Sequence, residues 1–215
     1  DLRNVDLSGA NWTGACLRGA NFRQEQRNYA ANLRGANLRH ADLEGANLRG
    51  ADLTNVNLRQ ANLAFTSLRG AILQGADLAG ACLQGANLSD ANLSDVNLIG
   101  ADLSDVSAQR VNLARSNLNQ SNLNSSRFAE ASFSQASLVG ATLQRAQLNR
   151  ADLSRSDFSR ANLREASLVE AYLGRTNLTE ADLTEAVLTR AELSSTNLLS
   201  ACLAGATMPD GSIHT

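Results

Sequence analysis

The stretch that decides the fold is ANLRGANLRHADLEGANLRG, residues 31–50, in which one five-residue unit occurs four times. The unit reads A-(N/D)-L-x-x: a small residue, then Asn or Asp, then Leu, then two variable residues. From Leu33 to Met208, Ala stands two residues before the unit's centre at 25 of 36 positions. Every centre is Leu except for Ala108, Phe128, Phe133, Phe158 and Met208. Such a tandem repeat predicts one elongated body rather than several globular domains.

A period of five excludes the common regular structures. Apolar residues recur about every 3.6 positions in an amphipathic helix, so a strict five would spread the leucines over all its faces. Within one unit, however, the small residue and the Leu are two positions apart and lie on the same side of an extended segment. The two variable residues must then turn the chain so that the next pair also points inward. A chain that turns the same way every five residues forms a coil with a filled centre, a β-solenoid.

Charged residues indicate how many units close one coil. Opposite charges on neighbouring strands attract, whereas like charges directly opposite each other repel. Steps of twenty residues give a strict alternation of sign in one column: Asp90, Arg110, Glu130, Arg150, Glu170, Arg190, Asp210. Steps of 15 or 25 from Asp90 do not alternate. Twenty residues per coil predicts four sides, each made by one unit.

The run of A-(N/D)-L-x-x units resembles the pentapeptide-repeat family, and the ending Met208-Pro209-Asp210-Gly211 resembles that of its cyanobacterial members. The resemblance implies an all-β fold: a right-handed quadrilateral β-solenoid, here with about ten coils of four five-residue faces. We expect one solenoid over residues 1–208, interrupted by a loop or bulge at about 23–32, and a C-terminal tail over 209–215.

The interruption follows the fifth unit. The centre after Phe22 is Leu33, eleven residues on, so the repeat loses its phase. The intervening segment is either a surface loop that the solenoid tolerates or a recognition loop, since loops on rigid scaffolds often carry binding. On the second interpretation, its contact residues are Arg23, Glu25, Arg27 and Tyr29.

Changes of side-chain volume offset each other in the middle of the chain. Ala108 replaces a central Leu, but Val106 and Val111 enlarge the neighbouring small sites, and Phe128 and Phe133 enlarge later centres. Inward hydroxyl groups need backbone carbonyls as partners, and this applies to Ser116, Ser121 and Ser126. We therefore predict a packed interior here; a cofactor pocket is the alternative.

One face has a net charge of −5. It is centred on Leu43, Leu63 and every twentieth residue after them, and its basic residues are Arg145 and Arg164. Its acidic residues are Asp42, Glu44, Asp102, Asp105, Glu165, Asp182 and Glu185. The face is either ordinary solvated surface or an electrostatically marked docking face. For the docking face, the candidate protein contacts are Asp42, Glu44, Asp102, Asp105, Asp182 and Glu185.

Motifs for catalysis or metal binding are missing. The two histidines, His40 and His214, have no ligand-like spacing, and neither a catalytic triad nor a glycine-rich phosphate loop is present. A core of Leu and Ala leaves no room for a substrate. We therefore expect no enzyme activity, no cofactor and no metal site.

Charge and cysteine usage bear on partners and compartment. The formal net charge of −2 disfavours direct nucleic-acid binding, and no apolar run approaches the roughly 20 residues of a membrane span. Cys16, Cys82 and Cys202 should point outward as free thiols, which favours a reducing, cytoplasmic compartment. The chain begins inside a repeat unit, so an upstream targeting segment or further domain stays an open alternative.

These observations lead to two functional hypotheses. The first is a non-enzymatic protein-interaction scaffold or regulatory module that presents flat β-faces to an unidentified protein. The second, suggested by the family resemblance, is a DNA-mimicking modulator of a type II topoisomerase. End-to-end association of rods is also open, because solenoids need protected ends.

Overall fold

A four-sided coil runs through the chain in the computed structural model, which describes residues 1–23 and 31–215. Each five-residue unit forms one side, with three extended residues followed by a two-residue turn. Within the described ranges, the β-structure consists of single-residue parallel bridges between successive coils and one antiparallel bridge in the tail, and no α-helix occurs.

The bridges form four ladders, which we number face one to face four. In chain order they begin at Asp6, Asn11, Cys16 and Asn21, and they end at Glu192, Asn197, Cys202 and Thr207. Each parallel ladder contains ten residues, and from Asn32 onward its successive members are twenty positions apart. This confirms the predicted all-β solenoid with four sides and about ten coils.

Hydrogen bonding within one unit explains the Asn or Asp of the repeat. The amides of Asn92, Leu93 and Asp95 donate to carbonyls of the coils below and above, at 2.9, 2.7 and 3.0 Å. The amide of Ala91 donates across the preceding turn, at 3.0 Å. The amide of Ser94 has only the Oδ1 atom of Asn92, which accepts at 3.1 Å as in an Asx turn. All five amides of the unit are therefore satisfied.

The last residue of each unit lies in the left-handed region. Non-glycine residues there have φ between +55° and +62°, including Arg150 at +57°. Such a φ belongs to the third residue of a type II turn and favours glycine, which Gly35 supplies at +62°. The amides of these residues bond to the next coil, as Arg150 does to the Val169 carbonyl at 2.9 Å. The fold thereby holds long charged side chains at its corners.

The centre of the coil is filled along its length. Every central residue from Leu33 to Leu188 is 1% exposed or less. Burial of one Leu contributes roughly 1.5–3 kcal/mol, so each coil of four centres adds a substantial apolar core. Leu193, Leu198 and Leu203 of the last coil are only partly buried.

The irregular middle segment is packed as predicted. Val106, Ala108 and Val111 are all buried, and Phe128 follows Ala108 on face four. The Phe128 and Phe133 rings meet edge to face, with centroids 5.1 Å apart. Inward hydroxyls donate to carbonyls: Ser116 to Leu113 at 2.5 Å, Ser121 to Leu118 at 2.6 Å and Ser126 to Leu103 at 2.6 Å.

The interruption is an insertion at one corner. Asp6 pairs with Asn32 and Asn11 with Asn37, a spacing of 26 residues rather than twenty. Ala31 and Leu33 are buried and already belong to face one. Six extra residues therefore stand between face four and face one, and residues 24–30 lie outside the described part of the chain.

The tail turns back on the last coil. Met208 accepts the amide of Gly211 at 2.9 Å, and Ile213 forms an antiparallel bridge with Thr207 at the end of face four. The amide of Gly205 also donates to the His214 carbonyl at 2.8 Å. Pro209 and Asp210 therefore form the turn that ends the repeat.

Candidate interaction surfaces

Corner side chains of successive coils form ion pairs. The step of twenty predicted from the charges is confirmed by contacts of 2.6–2.8 Å for Arg110–Asp90, Arg115–Asp95, Arg145–Glu165, Arg150–Glu170 and Arg160–Glu180. The hydrogen bond from Arg115 holds the pKa of Asp95 below its usual value. Glu170 also lies 3.6 Å from Arg190.

Two members of the predicted column differ. No ion pair joins Arg190 to Asp210, because the Asp210 carboxylate accepts the hydroxyl and amide of Ser212, at 2.6 and 2.9 Å. These bonds lower the pKa of Asp210. Glu130 forms no ion pair with Arg150, which bonds to Glu170 instead. Within this column, the alternating charges therefore form one pair and one triplet rather than a continuous line of contacts.

The predicted acidic face is face three. Asp42, Asp102 and Asp182 are members of its ladder, and Glu44, Asp105 and Glu185 lie in the turns that follow them. Three coils separate Asp42 from Asp102 and four separate Asp102 from Asp182, or about 14 and 19 Å at the spacing of neighbouring strands. The structure thus brings the six residues together as three separate acidic pairs on one side of the rod.

In two of these pairs, an arginine forms an ion pair with at least one of the carboxylates. Arg18 contacts Asp42 at 3.1 Å and Glu44 at 2.7 Å, and Arg164 contacts Asp182 at 3.4 Å. The amide of Glu44 lowers the pKa of Asp42, as does the Arg18 guanidinium. Sequence reasoning missed Arg18 because the insertion hides its register, yet Cys16 pairs with Asp42 and places this unit on face three.

Three carboxylates of face three have no ion partner in the described structure: Asp102, Asp105 and Glu185. Asp102 is instead tied into the ladder, since its Oδ1 atom accepts from the Ser104 amide and from the Asn122 side-chain amide, both at 3.0 Å. Asp105 and Glu185 are exposed at corners. The free negative charge of this face therefore lies mainly at these two corners.

Of the four predicted contacts in the recognition loop, Arg23 belongs to the described residues. Arg23 is exposed, and its amide donates to the Oδ1 atom of Asn21 at 3.2 Å. Glu25, Arg27 and Tyr29 lie outside the described residues. Their role as contacts stays a prediction.

Face one carries a groove that the sequence analysis did not identify. The groove has a volume of about 470 Å³ and extends over four coils. Its lining residues are Ser134, Gln135, Ser154, Arg155, Tyr172, Gly174, Arg175, Ser194 and Ser195. The sequence contains only a weak indication of this groove. Small residues recur at the first turn position of these units, and Arg155 and Arg175, twenty residues apart, carry the same charge instead of opposite charges.

The three cysteines are free and share face three. Cys16 and Cys202 are exposed and Cys82 is half-buried. The Thr184 hydroxyl lies 3.3 Å from the Cys202 sulfur and lowers the pKa of that thiol. The outward placement predicted for the thiols is confirmed.

Residues 1–23 and 31–215 contain no cluster of three or more His, Cys, Asp or Glu side chains suited to a metal ion. This part of the chain likewise contains no helix whose length and apolar character would allow it to cross a membrane.

Comparison with known proteins agrees with the geometry. The family model "Pentapeptide repeats" matches in eight copies, over residues 1–24, 31–75, 51–90, 71–107, 109–145, 141–179 and 171–208. Comparison with curated protein sequences found no match.

Several solved structures are similar to this chain. HetL, a pentapeptide repeat protein involved in heterocyst differentiation regulation from the cyanobacterium Nostoc sp. strain PCC 7120, is 34% identical. The alignment covers 100% of this chain and 93% of HetL, with a TM-score of 0.53. QnrB1, a plasmid-mediated fluoroquinolone resistance protein, shares the fold at 18% identity and a TM-score of 0.63, over 75% of this chain and 88% of that one.

The repeat pattern, the four bridge ladders and the family match agree over nearly the whole length. The fold is the right-handed quadrilateral β-helix of these proteins. This chain belongs to the pentapeptide-repeat family.

Proposed function

We propose that this protein is a non-enzymatic scaffold whose outward side chains bind a protein partner, in a regulatory role. The observation that carries the proposal is that each five-residue unit directs some side chains into the interior and the others to the surface. Central residues from Leu33 to Leu188 are 1% exposed or less, so chemistry is left to the faces and corners. Enzyme sites and cofactor sites are concave and largely enclosed, whereas binding to a partner needs only a rigid, shaped surface.

The relationship to HetL supports a regulatory role. HetL is described as involved in heterocyst differentiation regulation, and the alignment covers 93% of its chain. The two proteins therefore share the length of the rod as well as the repeat. We infer that this chain also acts through contacts with other proteins, in a reducing cytoplasmic compartment consistent with its free thiols.

Two surfaces are the proposed contacts. One is the set of acidic pairs on face three, Asp42 with Glu44, Asp102 with Asp105 and Asp182 with Glu185, of which Asp105 and Glu185 retain the most accessible charge. The other is the insertion with Arg23, Glu25, Arg27 and Tyr29. The insertion can be removed without changing the register, because deletion of residues 24–29 places Leu33 five positions after Phe22, the spacing of the repeat.

Affinity capture from a native lysate tests the proposal. The baits are the intact chain, the deletion of 24–29 with Ala30→Gly at the new turn, and the variant Asp105→Asn/Glu185→Gln. A control with the same loss of charge is Glu130→Gln/Asp157→Asn, on other faces. We expect a specific partner for the intact chain and the control, and its loss from at least one of the other two. A rod that captures no specific partner would contradict the scaffold function.

The DNA-mimicking alternative has weaker support. A mimic of duplex DNA needs a sustained line of negative charge, whereas Arg18 and Arg164 pair with the acids at the two ends of face three. Polar uncharged residues such as Asn122 and Thr142 lie between the acidic pairs. A gyrase supercoiling assay discriminates the two hypotheses, since the scaffold should not inhibit supercoiling even in large excess.

A further inference from the structure

We propose that the groove on face one binds an acidic segment of a protein partner. This inference rests on the scaffold function proposed above and assigns the chemistry of one contact surface. Two arginines line the groove, Arg155 and Arg175.

Arg155 and Arg175 occupy the same corner on successive coils. The Arg155 amide donates to the Gly174 carbonyl and the Arg175 amide to the Ser194 carbonyl, at 3.0 and 2.9 Å. Their backbones are thus about 4.8 Å apart, the spacing of neighbouring strands. Both residues have positive φ, 57° and 62°, and both side chains are exposed. Two like-charged side chains therefore leave the rod from neighbouring positions on one corner, where like charges repel.

Neither arginine has a carboxylate partner among residues 1–23 and 31–215. In the other stacks of arginines in the described chain, one arginine pairs with an acid: Arg59 with Asp77, and Arg69 with Asp90, both near 3 Å. In the Arg155–Arg175 stack, neither guanidinium lies within ion-pair distance of a carboxylate. An incoming anion would remove this repulsion, which makes the stack an attractive site for acidic groups.

The two acids beside Tyr172 on face one do not supply that anion. Asp152 and Glu192 flank Tyr172 in the ladder of face one. The Oδ1 atom of Asp152 accepts the Ser154 amide at 2.9 Å, and the Oε1 atom of Glu192 accepts the Ser194 amide at 2.8 Å. Both carboxylates are thus turned back into their own turns and away from ion-pair contact with the arginines.

The rest of the groove suits a peptide. Ser134, Ser154 and Ser194 place hydroxyl groups along its length, and the hydroxyls of Ser134 and Ser154 lie 3.2 Å apart. Tyr172 is 48% exposed and offers an apolar ring beside the charges. The groove extends over four coils, about 14 Å between the outermost strands, and this length accommodates several residues of an extended chain.

Gly174 sets the position of the tyrosine. A Cβ atom at residue 174 would lie 2.8 Å from the Tyr172 hydroxyl oxygen and 2.9 Å from the adjoining ring carbon. The glycine therefore lets the ring fold over its own turn instead of standing away from the rod. The ring lies beside the arginine stack because of this contact, where an apolar neighbour of the acidic residues can pack on it.

Fluorescence anisotropy tests the proposal with the labelled peptide Glu-Glu-Phe-Glu-Glu and its counterpart in which Gln replaces Glu. The intact protein at low salt should bind the acidic peptide and not the neutral one. The variant Arg155→Gln/Arg175→Gln should weaken binding by about tenfold or more. Gln is compatible with this backbone, since Gln120 and Gln135 occupy the same corner position with φ of 59° and 61°.

A matched control removes charge elsewhere. Arg39 and Arg49 are exposed arginines that form no ion pair with the described residues, and Arg39→Gln/Arg49→Gln changes the net charge equally. We expect this control to bind within roughly twofold of the intact protein, because the residual effect is long-range electrostatics only. Tyr172→Ser and Gly174→Ala should both weaken binding without any change of charge. Absence of binding to the intact protein, or equal weakening by the two double variants, overturns the proposal.

Capture from lysate separates this inference from the scaffold function. A partner held equally well by the intact chain and by Arg155→Gln/Arg175→Gln overturns the groove as its site and leaves the scaffold function standing. A partner lost only from the groove variant supports the groove and the scaffold function and contradicts the two contact surfaces proposed above. Binding of the acidic peptide together with the absence of any captured partner supports the groove and contradicts the scaffold function.

Discussion

The pairing of Ala108 with Phe128 gives the sharpest test of how the interior is packed. Both residues are central positions of face four on successive coils, and both are 0% exposed. A small residue followed by a large one keeps the local volume close to that of two leucines. The substitutions Ala108→Leu and Phe128→Leu should therefore be harmful singly and compensate each other when combined.

The magnitudes follow from the structure. Ala108→Leu adds side-chain volume next to a buried ring and should lower the free energy of unfolding by about 1–3 kcal/mol. Phe128→Leu leaves a void and removes the edge contact with Phe133 at 5.1 Å, for a loss of about 1–2 kcal/mol. The double variant places Leu over Leu, as in other coils, so we expect a favourable coupling of about 1–2 kcal/mol.

The assay is equilibrium unfolding in guanidinium chloride, followed by circular dichroism and by Trp12 fluorescence. Coincident transitions are needed, since repeat arrays can unfold in stages. Ala108→Leu combined with Phe158→Leu is the control, because Phe158 lies more than two coils away and should add within about 0.5 kcal/mol. A coupling near zero for Ala108 and Phe128 would refute the volume compensation.

Three further predictions concern the surface. Asn112→Ala should lower the free energy of unfolding by about 1–2 kcal/mol, because the Ala114 amide loses its acceptor at 3.0 Å, whereas Asn112→Asp keeps that acceptor and should change it little in the same denaturation assay. Burial raises the pKa of Asp52, but hydrogen bonds from Thr54 and the Arg34 guanidinium outweigh it and leave the pKa below its usual value. The stability that Asp52 contributes is therefore present above its unfolded pKa of about 3.9 and lost as pH falls through the lower folded value, so Asp52→Asn should flatten the acid limb of a pH–stability profile. Glu170→Gln removes contacts with Arg150 and Arg190 and should lower the thermal midpoint slightly at low salt and not at high salt; an unchanged difference in molar salt would contradict an ionic origin.

The fold was predictable because its signals are local and repeated. A small residue and a Leu two positions apart fix the inward side, and the charges at twenty-residue steps fix the number of sides. The contact of Arg110 with Asp90 at 2.6 Å is the direct counterpart of that reasoning. The sequence shows that Asn or Asp recurs before each Leu. The reason is visible only in the structure, where these side chains accept hydrogen bonds from the backbone amides two residues later in the chain.

Surface features were harder to predict because they depend on which coils are neighbours. The six-residue insertion shifts the register, so the position of Arg18 beside Asp42 emerged only from the bridge between Cys16 and Asp42. The groove on face one depends on the Tyr172 ring lying against Gly174, a contact that a repeat pattern does not encode. Repetition therefore specifies the interior well and the binding surface poorly.

The central claim, that a closed rod binds a protein through its outward side chains, is tested most directly by hydroxyl-radical footprinting of the complex with a captured partner. Exposed apolar side chains report on separate sides: Ile72 and Tyr172 on face one, Ile99 and Leu199 beside face two, and Phe65 after face three, with exposures of 40–67%. We predict that the partner lowers radical reactivity on one side of the rod, while the reporters on the other sides and the buried leucines keep their reactivity. Increased reactivity of buried residues such as Phe133, or no change at any reporter, would contradict the account.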